Sequence, residues 1–134
     1  MIKDIPRPKM EDFALAVVPP ESGEKNDLWD VFMINLKEEP IQNILIAAKG
    51  YGEVEGSAKE TTTMRHFFPE LAPLAIIKIE PIQPDVFQLT NEYWVSFTFD
   101  GQMYDKKFVF VRGSIEESNF TLVPFINRKG VMIR

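Results

Sequence analysis

The chain has no cysteine, which excludes disulfides, thiolate nucleophiles and cysteine-ligated zinc or iron. It has one histidine, His66. A histidine-rich metal site is therefore excluded, and any serine- or histidine-based triad would have to run through that residue. No apolar run approaches the roughly 18 residues of a membrane span. The opening Met1-Ile2-Lys3-Asp4-Ile5-Pro6-Arg7-Pro8 lacks the apolar stretch of a secretory signal. Basic side chains are outnumbered, 15 to 20, for a net charge of −5. Residues 1–60 carry seven basic and twelve acidic groups, residues 61–134 eight of each. Phosphate backbones and anionic lipids demand the opposite sign, so no nucleic acid and no membrane are expected as partners. The expected location is the cytoplasm. Long helices are the last absence, because ten prolines spread from Pro6 to Pro124 leave few stretches uninterrupted.

What the chain does have is strand pattern. Tyr93, Val95, Phe97 and Phe99 fall on one face of an extended segment, Asp100-Gly101 supplies the positive φ angles of a tight reversal, and Met103 to Val111 returns. A two-residue turn there puts Lys106 on the same face as Val95 and Phe97, so either Lys106 lies at a sheet margin or a bulge or longer turn shifts the return. Upstream, Phe13–Val18, Trp29–Lys37, Thr61–Phe68 and Ala75–Glu80 read as strands, and Ile44–Ala48 as one buried on both faces. Gly50–Glu60 reads as a flexible acidic connection and Pro69–Pro73 as a turn. Asp85–Thr90 and Ile115–Phe120 suit short helical turns, and Thr121–Ile126 and Val131–Ile133 terminal strands. At 134 residues this is the size of one domain, 1–134, with 1–12 as an extended N-terminal arm. The expected fold is all-β: an antiparallel, immunoglobulin-like sandwich of seven to nine short strands with little helix, a partly closed barrel being the alternative.

Chemistry is sparsely written. His66, in Thr63-Met64-Arg65-His66-Phe67-Phe68, could act as an acid or base near neutral pH, or be a sheet histidine without a catalytic role. The pairs Glu38-Glu39 and Glu116-Glu117 and the alternating Glu53 and Glu55 lack calcium-loop spacing and read as solvated charge. Gly50-x-Gly52-x-x-x-Gly56 fits neither phosphate-loop pattern, and its glutamates would repel phosphate. Asn119-Phe120-Thr121 matches a glycosylation triplet without the secretory signal to use it. No metal or cofactor is implied. Trp29, Trp94 and Tyr104 are the candidate binding residues, with Lys106, Lys107 and Arg112 as a small basic patch beside them. If Tyr93, Val95 and Phe97 face the core, Trp94 faces the other way with Ser96 and Thr98.

The segments Asn35–Ile44, Ala48–Glu53 and Asn91–Phe97, the return Tyr104–Phe108 and the closing Asn127–Ile133 resemble a family of small uncharacterised proteins of the Bacteroidota. That resemblance implies a small soluble β-rich protein and carries over no activity or catalytic residue. Some members of that family bear the label of a phenylalanyl-tRNA synthetase α subunit. The present chain is too short for a class II catalytic domain, is acidic, and shows no class II motifs, so the label does not transfer.

Three functions are expected in decreasing order. The first is a non-catalytic protein-interaction module using a sheet edge or aromatic patch, its partner another protein or a second copy. The second is a binder of small ligands in an apolar pocket between the sheets. The third is a weak hydrolase-like enzyme using His66 with a neighbouring carboxylate.

Overall fold

The structure, a computed structural model, describes residues 12–134; apart from Asp12, the arm expected over 1–12 lies outside them. Among the described residues, ten strands make two antiparallel sheets. The first sheet runs in the order β6 (Ala75–Ile82), β2 (Trp29–Asn35), β1 (Phe13–Val18), β10 (Arg128–Ile133), β9 (Thr121–Val123). The second runs β4 (Ser57–Glu60), β3 (Ile41–Val54), β7 (Thr90–Phe99), β8 (Gln102–Phe110), with β5 (Met64–Leu71) beside β4 along the same edge of β3. Among the described residues the helical pieces are single 3-10 turns, as at Pro84–Gln88 and Glu117–Asn119, and no helix is long and apolar enough to cross a membrane.

The expected antiparallel sandwich is therefore present. The immunoglobulin order would set the first strand at a sheet edge; here β1 has β2 on one side and β10 on the other. Between the sheets lies one apolar core. Phe13, Leu15 and Val17 of β1 meet Ile44 and Ile46 of β3 and Tyr93, Val95 and Phe97 of β7, the alternate residues of each strand facing inward. Phe13 packs on Phe97 at 4.8 Å between ring centroids, and Phe97 stacks on Tyr104 at 5.8 Å. These three rings are packed on one another at the core. A second apolar cluster, including Ala14, Ala16, Phe32, Ile34 and Val123, occupies the other face of the first sheet.

The β7–β8 hairpin forms with Phe99 opposite Gln102, and Asp100 and Gly101 at φ 50° and 74°, the geometry of a type I′ turn. Its register stays regular, with Val95 opposite Lys106. Lys106 is accommodated because β8 is an edge strand, and its ammonium lies 5.0 Å from the Phe108 ring centroid.

Four segments depart from expectation. Ile44–Ala48 is not buried on both faces: Ile44, Ile46 and Ala48 point into the core, while Leu45 is 52% exposed, since no described layer covers the outer face of the second sheet. Gly50–Glu60 is not a flexible connection; β3 continues through it and turns at Glu55-Gly56, φ 53° and 78°, into β4. This hairpin raises the strand count above the expected seven to nine. Pro69 lies within β5 and the turn waits until Ala72-Pro73-Leu74, because an edge strand tolerates a residue that cannot donate. The strand expected over Thr121–Ile126 stops at Val123, where Phe125 and Asn127 take positive φ angles of 72° and 51° to reverse the chain.

Candidate functional site

Two places bring chemistry-bearing side chains together. The first is the outer face of the second sheet. The pairing Arg65↔Ala47↔Trp94↔Lys107 forms one row across β5, β3, β7 and β8, and Phe67↔Leu45↔Ser96↔Asp105 the next. Residues in such rows are side-by-side neighbours on one face. Leu45, Phe67 and Trp94 are each about half exposed, at 52%, 56% and 47%. The Lys107 ammonium sits 5.1 Å from the Trp94 ring centroid and 3.6 Å from the Glu92 carboxylate, so it is oriented by one neighbour and attracted by the other's π face. Between Trp94 and Arg65 stands only the methyl group of Ala47, which leaves a depression of about 300 Å³ walled by those two side chains and Leu45.

The second place is at the margin of the sandwich where β5 and β6 face each other. His66 Nε2 lies 2.7 Å from Glu80 Oε1, and the Tyr93 hydroxyl donates to Glu80 Oε2 at 3.1 Å. Strict alternation along Ala75–Ile82 would turn Glu80 outward with Lys78. The β2–β6 register slips between Val31 and Phe32, leaving Ile79 without its own partner and aiming Glu80 at the second sheet. Re-aiming one side chain is a recurrent consequence of a β-bulge. The Tyr93 phenol is pushed well above its ordinary range, first by burial and then by the charge and hydrogen bonding of Glu80. It therefore acts as a donor throughout the working pH range. His66 and Glu80 side chains retain only 20% and 12% exposure, and both line an open cleft with Lys49, Thr61, Asn91 and Tyr93. A histidine held by a carboxylate has the orientation a general base needs, and the hydroxyl-bearing Thr61 and Thr62 line the same cleft.

The sequence-selected residues thus separate. Trp94 and Lys107 are together on the outer face. Trp29 is not a surface contact residue: it is 6% exposed, its indole donating to the Lys25 carbonyl at 3.0 Å and its ring meeting Phe87 and Phe120 edge-on. Tyr104 and Lys106 are on the opposite face of the hairpin from Trp94, where Tyr104 stacks on Phe97. Arg112 donates to the Glu53 carbonyl at 2.9 Å, away from Lys107, so the three cations do not form one patch. Leu45, Ala47, Arg65 and Phe67 were missed on the outer face, and Glu80 and Tyr93 beside His66. The signal for the first group was available in Thr61–Phe68, where Arg65 and Phe67 alternate with His66 and Phe68. Comparison with known protein families, with curated proteins and with solved structures finds no match for this chain.

Proposed function

We propose that the chain is a protein-interaction module that binds through the outer face of its second sheet, around Trp94. The observation that carries this reading is the gathering of Leu45, Phe67 and Trp94, all about half exposed, on three adjacent strands. Contiguous apolar surface rimmed by charge is what contact sites on folded domains are made of, and tryptophan is the residue most enriched at their energetic centres. Arg65 and Lys107 supply the rim. We include in the proposal the likeness to small uncharacterised proteins of the Bacteroidota.

The test is affinity capture from the native host with three folded baits: wild type, Trp94→Ala, and a control altered on β9, Leu122→Ala, whose side chain is also exposed. The expected result is a partner held at equal stoichiometry by wild type and the control and lost from Trp94→Ala. Equal capture by all three would remove Trp94 from the contact and overturn the proposed surface.

A second reading rests on the 2.7 Å approach of His66 to Glu80 in an open cleft: a weak general-base enzyme. It predicts turnover of an activated ester that His66→Gln abolishes while leaving the fold intact.

A further inference from the structure

Resting on the interaction-module reading, we infer that the Trp94 face takes an extended acidic–apolar peptide segment of a partner protein, one apolar side chain seated over Ala47 and a neighbouring carboxylate on Arg65. Two independent observations converge on that chemistry. One is shape. Arg65, Ala47 and Trp94 lie on three consecutive strands in one row, so the walls of the depression stand two strand spacings apart, about 10 Å. That gap admits a side chain in van der Waals contact with the indole on one side and the guanidinium stem on the other. Its volume of about 300 Å³ is at the bottom of the range that ligand pockets occupy, enough for one anchor residue.

The other observation is charge. Arg128 is held by Asp30, Glu21 and the Pro19 carbonyl, and Arg112 by the Glu53 carbonyl. Arg65 makes no hydrogen bond or ion pair with a described residue, and it is exposed. An unpaired guanidinium at the wall of an apolar depression is complementary to a carboxylate, which it can grip through two parallel N–H donors. Lys107, on the far side of Trp94 and already drawn toward Glu92, adds a second, weaker positive centre. Asp105, one row along beside Ser96, opposes a carboxylate at that end and so favours the acid lying toward Arg65. A peptide rather than a free small acid is indicated because the apolar surface continues past the depression, from Leu45 at its wall onto Phe67. A small molecule would leave Phe67 wet, whereas a chain lying across the sheet covers it.

The experiment is selection of a random twelve-residue phage-displayed peptide library on the immobilised full chain. The enriched peptides are then synthesised with a fluorophore and measured by fluorescence anisotropy. The expected consensus is an aromatic residue or leucine followed within two positions by Asp or Glu. Arg65→Gln should weaken those peptides about tenfold and erase the acidic preference. Ala47→Leu, which fills the depression from an outward-facing position, should abolish binding with an unchanged urea midpoint. Peptides lost with Trp94→Ala but free of acidic bias, and indifferent to Arg65→Gln, would overturn this inference and leave the interaction-module reading standing. No Trp94-dependent peptide at all, together with equal capture by the three baits, would overturn both. A wild-type dimer in native mass spectrometry that becomes monomeric in Trp94→Ala would assign the face to a second copy and overturn the peptide.

Discussion

Replacing Glu80 with alanine removes the acceptor shared by His66 and Tyr93, and the consequence can be worked from the geometry. Tyr93 is 2% exposed, so its hydroxyl, left without the 3.1 Å bond to Glu80, has little water to turn to; stranding a buried donor costs about 1–3 kcal/mol. His66 keeps 20% side-chain exposure and can recover part of its lost partner from solvent, so its share is roughly 1 kcal/mol. Together the loss is about 2–4 kcal/mol, a large part of the roughly 5–15 kcal/mol that holds a domain folded. In equilibrium urea unfolding, with a slope of about 2 kcal/mol per molar, the midpoint should fall by roughly 1–2 M at unchanged slope. Tyr93→Phe alone should cost about 1 kcal/mol, and in the Glu80→Ala background it should instead recover about 1–3 kcal/mol, since the hydroxyl it deletes is then the stranded group. A Glu80→Ala protein within about 0.5 kcal/mol of wild type would refute the reasoning. The cluster would then not be a tie between the sheets, and its His66–Glu80 pair would gain weight as a catalytic dyad, because functional sites are often not optimised for stability.

Two further outcomes follow from packing. A Cβ built on Gly130 lies 2.4 Å from the Val17 carbonyl oxygen and 3.0 Å from Val18 Cγ2; Gly130→Ala must shift backbone and should destabilise by about 1–3 kcal/mol, read as a lower urea midpoint. Adjacent residues on β3 should part company: Ile46→Ala, emptying a 1% exposed site, should cost about 2–5 kcal/mol, and Leu45→Ala, on the open face, less than about 1 kcal/mol. Equal costs would mean that the outer face is covered after all.

Legibility in the sequence followed local rules. The Tyr93–Phe110 hairpin could be read because alternation and turn chemistry agree: inward Tyr93, Val95 and Phe97 flank an Asp100-Gly101 pair that takes positive φ angles, and from that face followed the outward aim of Trp94. Leu45 could not be read in the same way. Five apolar residues in a row look doubly buried, and only the absence of a described third layer leaves one face open. Gly50 misled for a different reason. It reads as punctuation, yet a Cβ there would meet Asn91 Oδ1 at 3.1 Å and Leu89 Cδ1 at 3.3 Å, so the glycine serves close packing inside a strand rather than a turn. Glu80 was invisible as a partner of His66 because a bulge, not the alternation, aims it, and because the contact joins different sheets. Trp29 illustrates the ambiguity of tryptophan itself, whose large ring suits a core edge as well as a contact surface.

The position of β1 between β2 and β10 carries a consequence for how the molecule is made. β1 gains its first neighbour from a local hairpin, but its other side stays open until β10 has been synthesised, when Val131, Met132 and Ile133 come to lie against Val17, Ala16 and Leu15. During that interval the entirely apolar segment Phe13–Val18 presents an unpaired ladder of backbone groups, the state in which β-chains misassociate. Closing the first sheet is thus a late, long-range event, and the chain is expected to depend on rapid completion or on a chaperone's hold at that one edge.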